Sequence, residues 1–160
     1  MIKVLFVCEY NSAKSQIADA FLNRFGSGKF ESHSAGLEEG ASNPFAEEVM
    51  LEEDIDISGY PIDSLNSYHQ QEIHFDVIIT LSSPENAQSC SLIHSDTQKR
   101  DWVFPEPSFI TGDQDELLSE LRKARDQIKY KVIDFIAEYD QLNHTTAYTE
   151  PIEVDTSFLA

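Results

Sequence analysis

The sequence predicts an α/β fold, a parallel sheet flanked by helices on both faces. Two observations carry this. Apolar, largely β-branched runs lie at Ile2–Val7 and Asp76–Leu81, the composition of strands buried on both sides. Around them lie stretches whose apolar residues recur at helical spacing. Buried strands that alternate with helices build parallel sheets.

Each element follows in order. Ile2–Val7 is the first strand. From Ser15 to Phe25, Ile17, Ala18, Phe21, Leu22 and Phe25 form one helical face, which Gly26 and Gly28 end. Phe30–Ser34 is a second strand, closed by Gly36. Asn43-Pro44 reads as an N-cap followed by proline at the first helical position. Phe45, Ala46, Val49 and Met50 then make the buried side, with Glu47, Glu48, Glu52 and Glu53 solvated. Asp76–Leu81 is the strongest strand signal. Val103-Phe104 is a brief apolar segment broken by Pro105 and Pro107, and Lys99-Arg100 before it reads as a solvated turn. Asp115–Tyr139 is a long helix, with Leu117, Leu121, Ala124, Ile128, Val132, Phe135 and Ile136 on its buried stripe.

The 160 residues suit one domain. Its apolar periodicity stops near residue 140, so residues 1–140 are expected to form the domain and 141–160 a polar, acidic tail. That tail reads as a frayed terminus, or as an arm that docks on this or a neighbouring subunit. Hydrophobic residues are 41% of the chain, enough for a core. The formal charge of −18 repels nucleic acid and anionic membranes, so neither is an expected partner. The surplus acid reads as a solubility feature, and recruitment of a basic partner is the sharper alternative. Two cysteines make no disulfide scaffold, and no apolar run approaches a membrane span. These features predict a soluble protein of the reducing cytoplasm. The five histidines show no paired ligand spacing, so neither a metal nor a cofactor is expected.

The chemistry is expected where the first strand turns into its helix, at Val7-Cys8-Glu9-Tyr10-Asn11-Ser12-Ala13-Lys14-Ser15. In open α/β sheets ligands gather at the carboxyl ends of strands. A loop leading into a helix offers backbone N–H groups and the positive end of the helix dipole, which suits a tetrahedral oxyanion. The same field favours a thiolate, so a cysteine opening the loop is a candidate nucleophile. Ser15 is placed to donate a hydrogen bond to that sulfur. The alternative for Cys8 is an inert buried thiol.

The loop resembles the Cys-x5-Arg-Ser anion loop of the low-molecular-weight tyrosine phosphatase superfamily, and its surroundings are most similar to the thioredoxin-coupled arsenate reductase branch. Four stretches carry the resemblance in order: Val4–Phe21; Ser34–Leu37 with Asn43-Pro44 and Ile55–Ser58; Phe75–Leu81 followed by Cys90; and Trp102–Phe109 with Arg125–Ile128. The resemblance implies a four-stranded parallel sheet in the order 2-1-3-4. It implies Cys8 as nucleophile, the Glu9, Tyr10, Asn11, Ser12, Ala13 and Lys14 segment as oxyanion cradle, Asn11 as loop support, and Ser12 and Ser15 as hydroxyl donors. It implies a late-loop general acid before a proline, here Glu106, and a pair of downstream cysteines, of which Cys90 remains. Implied partners are arsenate, phosphate or a phosphotyrosine substrate, with thioredoxin or a low-molecular-weight thiol as reductant.

Three positions depart from the family pattern. Lys14 stands where the pattern has arginine, Glu106 where it has aspartate, and Ser82 where it has the first downstream cysteine. Lysine keeps the charge and loses the two-pronged donor. Glutamate is a competent acid one methylene longer, and serine takes no part in thiol–disulfide exchange. Beside Cys8, the Glu9 carboxylate disfavours both thiolate and bound anion. Three readings therefore stand: an arsenate reductase-like enzyme, a phosphomonoester or phosphotyrosine phosphatase, and a degenerate relative that binds an anion or a protein without turnover.

Overall fold

The structure, a computed structural model, describes residues 1–10, 13–38, 42–82, 96–104 and 113–147, and of residues 9, 10, 38, 82 and 143–147 the backbone alone. In chain order the elements are β1 (Ile2–Tyr10), α1 (Lys14–Phe25), β2 (Phe30–Glu38), α2 (Pro44–Leu51), α3 (Leu65–Gln70), β3 (Val77–Ser82), β4 (Gln98–Val103) and α4 (Gln114–Ala147). The strands form one parallel sheet in the order β2-β1-β3-β4. The α/β architecture with order 2-1-3-4 is thus the one the sequence and its resemblance implied. No helix among the described residues is long and apolar enough to cross a membrane.

Alternation along β1 divides the core in two. Val4 and Phe6 face α1, α2 and α4 in a cluster with Ile17, Phe21, Met50, Ile79, Trp102, Ile128 and Phe135. Leu5 and Val7 face the opposite side, packed with Ala35, Ile78, Phe75, and Leu65 and Tyr68 of α3. Helix caps follow the sequence: Asn43 Oδ1 accepts from the backbone N–H of Phe45 and Ala46, with Pro44 behind it. Gly26 closes α1 where the chain turns tightly, because a Cβ there would lie 2.7 Å from Phe30 Cδ2.

Several elements differ from their predicted bounds. β1 continues past Val7 to Tyr10 and β2 past Ser34 to Glu38, because the two strands go on pairing, Cys8 with Gly36 and Tyr10 with Glu38. α3 was not foreseen, since six residues carry too short a periodicity. Lys99-Arg100 is not a turn but the middle of β4, an edge strand with Trp102 as its one buried residue. Arg100 makes a two-pronged contact with Glu138, at 2.7 and 2.9 Å. α4 runs to Ala147, beyond the end of the apolar stripe.

Arg125 ties α4 to α2. Its buried guanidinium donates to Val49 O at 2.9 Å and to Glu52 Oε1 at 2.8 Å, and Arg122 grips the same carboxylate. These two arginines hold the Glu52 carboxyl below its usual range. Arg125→Ala strands the Val49 carbonyl and should lower unfolding free energy by about 2–3 kcal/mol. Arg125→Lys, which lacks the fork, should fall between the two in urea denaturation.

Candidate active site

Cys8 occupies the carboxyl end of the interior strand. Strand alternation puts it on the face of Val4 and Phe6, the side that α1 covers. There Cys8 Sγ lies 2.9 Å from Ser15 Oγ. Cys8 and Lys14 are each 8% exposed, and Ser15 is fully buried. The thiol therefore faces the first turn of α1. Ala13 stands at that helix's N-cap and contributes no side-chain cap, while its carbonyl accepts from Ile17 N at 2.9 Å.

The surroundings of the thiol are built by contacts distant in sequence. Gly36, the register partner of Cys8, donates its N–H to Asp63 O at 2.9 Å and bridges to Ser64. Tyr68 donates to Asp63 Oδ2 at 3.1 Å and reaches Ser34 O at 3.4 Å. Burial and the nearby Asp63 carboxylate push the Tyr68 phenol well up. Gln16 Nε2, on the first turn of α1, reaches Pro61 O at 3.4 Å. The ends of β1 and β2, the start of α1 and residues 61–64 thus converge.

One turn along α1 from Ser15 lies a residue that sequence reasoning passed over. Asp19 is buried, and it accepts from Ser32 Oγ at 2.6 Å and Asn23 Nδ2 at 3.0 Å. Burial pushes its carboxyl up, and Ser32, His33, Ser34 and Asn23 partly offset that. The signal was available: Asp19 is four residues from Ser15 and falls between the apolar Ala18 and Ala20. A raised carboxyl binds its proton more tightly in the folded state. Its stabilising share is complete below the unfolded value, near 3.9, and is lost as pH rises through the raised one. Asp19→Asn, which cannot ionise, should gain stability relative to the parent as pH climbs from about 4 to 7. Paired urea titrations across that range measure the difference.

Of the residues singled out in the sequence, the structure brings together Cys8, Ala13, Lys14 and Ser15. Glu9 and Tyr10 continue the β1 backbone and Ser82 ends β3. Asn11, Ser12, Cys90 and Glu106 lie outside the described residues, as does the chain after residue 147. Trp102 packs on Phe6 and Phe135.

Comparison with known proteins bears on the fold and the family. Arsenate reductase 2 of Staphylococcus saprophyticus is 30% identical over 132 residues, covering 82% of this chain and 94% of the relative. The glutaredoxin arsenate reductase of Synechocystis sp. is 32% identical over 138 residues, covering 86% and 98%. Among solved structures, an arsenate reductase in the oxidized state superposes with a TM-score of 0.71 at 31% identity, covering 86% of this chain and 98% of that one. An arsenate reductase in the phosphate binding state gives 0.67 at 33% identity with the same coverage. The sequence profile for low molecular weight phosphotyrosine protein phosphatases matches residues 3–146, nearly the whole described sheet and its helices. On the strength of that match, this chain belongs to the low molecular weight phosphotyrosine protein phosphatase family, with relatives in its arsenate reductase branch.

Proposed function

We propose that this protein is a Cys8-dependent, oxyanion-processing enzyme of the arsenate reductase type. The observation that carries the reading is the 2.9 Å contact between Cys8 Sγ and Ser15 Oγ at the mouth of α1. Either group can donate across that contact; with the sulfur ionised the Ser15 hydroxyl is the donor, and at the positive end of a helix it stabilises thiolate over thiol. A tetrahedral anion at the same end meets backbone N–H groups and the Lys14 ammonium.

In the first step the Cys8 thiolate attacks arsenic. An S–As bond forms, and an arsenate oxygen leaves as water after protonation by a general acid, the role assigned to Glu106. In the second step a thiol attacks Cys8 sulfur. The new S–S bond forms as the S–As bond breaks, and its electron pair goes to arsenic. Arsenic gains two electrons and leaves as arsenite, while two thiols become one disulfide. With serine at 82, the second thiol is either Cys90 or an external thiol. A reducing dithiol then restores the enzyme.

Ser82 also favours a second reading. Hydrolysis of a phosphomonoester needs the cysteine, the anion cradle and an acid, but no second thiol. The test is turnover by the purified full chain, with arsenate plus thioredoxin, glutaredoxin or glutathione, and separately with p-nitrophenyl phosphate. Arsenite release supports the reductase, phosphate release alone supports the phosphatase, and silence in both arms refutes an enzyme. Lys14→Arg restores a planar, two-pronged donor and should raise kcat/KM in the productive assay by roughly 10- to 100-fold. Steady-state kinetics at fixed pH and salt measure it.

A further inference from the structure

Three polar residues in succession, Lys14, Ser15 and Gln16, are buried in the first turn of α1. Lys14 and Ser15 belong to the anion site. Gln16 is 3% exposed and is neither nucleophile nor cradle. A primary amide is costly to bury without a hydrogen bond, and an apolar side chain of the same length would be easier to place there. Gln16 therefore marks a position where a polar contact matters. Its Nε2 donates to Pro61 O at 3.4 Å.

That contact closes a ring. Pro61 leads through Ile62 to Asp63, whose carbonyl accepts from the Gly36 N–H at 2.9 Å. Gly36 is the register partner of Cys8. Cys8 Sγ lies 2.9 Å from Ser15 Oγ, and Ser15 adjoins Gln16. The ring thus runs from the thiol through the first turn of α1, along residues 61–63 and back by the end of β2. Two braces hold its far corner. Ser64 bridges to Gly36, and Tyr68 of α3 donates to Asp63 Oδ2 at 3.1 Å. Burial and the Asp63 carboxylate push the Tyr68 phenol well up, so it stays a donor at any working pH.

The body of α1 is held to the sheet by Ile17, Phe21 and Leu22. Apolar packing of that kind is non-directional, whereas a hydrogen bond weakens steeply when its atoms are misaligned. The contact between Ser15 and Cys8 is therefore more sensitive to a small shift of the first turn than the packing below it. The ring ties that turn to the strand beside the thiol.

We propose, on the reading of Cys8 as the nucleophile, that Gln16 is a positioning residue: by joining the first turn of α1 to residues 61–63 it holds Ser15 against Cys8. Its signature is the titration of the thiol. The pH dependence of iodoacetamide labelling in the full chain measures this, with Cys8 separated from Cys90 by peptide mass. In the parent, Cys8 should titrate below the ordinary thiol value of about 8.5. Gln16→Met keeps the length and loses the donor, and should raise the apparent pKa by about half a unit to one unit. Gln16→Asn keeps the amide but lacks the reach, and should raise it similarly. Ser15→Ala should raise it too, and adding Gln16→Met to Ser15→Ala should move it no further, because Gln16 acts through Ser15. Arg125→Lys loosens the contact between α2 and α4 outside the ring and should leave the titration in place, which separates positioning from a general loss of stability. A depressed parent titration that neither Gln16 variant moves overturns the positioning role and leaves the nucleophile standing. So does a Gln16 shift that persists without the Ser15 hydroxyl, or one that Arg125→Lys reproduces. A parent thiol at its ordinary value removes the nucleophile itself, and the positioning role with it.

Discussion

Cys8→Ser should abolish turnover in whichever assay the parent chain supports, by at least about 10,000-fold. The hydroxyl is nearly the size of the thiol, and it can keep the hydrogen bond that joins Cys8 to Ser15 across 2.9 Å. It does not ionise near neutrality, and no base described beside it would take its proton. The variant should therefore fold like its parent and still hold the anion. Differential scanning fluorimetry with and without phosphate checks both points. A Tm within a few degrees of the parent, raised by phosphate, together with absent turnover, isolates the nucleophile. Substantial turnover in the serine variant would remove Cys8 from the chemistry.

Phe6→Ala should cost about 3–5 kcal/mol of unfolding free energy. The ring is fully buried, two residues before Cys8 on the same face of β1. It packs on Trp102 at a centroid distance of 5.7 Å and so joins the interior strand to the edge strand. Its removal leaves a void between two strands and α1, which the surrounding helices fill only in part. For a domain of this size the midpoint should fall by roughly 10 °C. Calorimetry measures that drop, and a fall of under 2 °C would mean that the cluster closes over the gap. Phe6→Leu keeps most of the volume and should recover more than half of the loss.

How much of this was legible in the chain depends on what kind of contact each residue makes. α1 and α4 were visible because their apolar residues repeat at the helical period, and β1 because its short apolar run marks a strand buried on both faces. β4 was hidden because an edge strand buries one face, and Gln98, Lys99, Arg100 and Asp101 read as surface. The thiol, its hydroxyl neighbour and the lysine sit within eight residues of one another, so a local motif carried them. Asp19 with Ser32, and Gly36 with Asp63, meet only after β2 is laid beside β1. No local period encodes such meetings. The order of the strands came from resemblance, since alternation alone is compatible with several orders.

The sulfur rides on β1, which has a bonded neighbour on each side. A residue so placed moves only when the ladder itself comes apart, and that opening is the rarest motion such a domain makes. Inherited changes far from Cys8 should therefore alter how many intact molecules a cell maintains, long before they alter the rate at which each surviving molecule works.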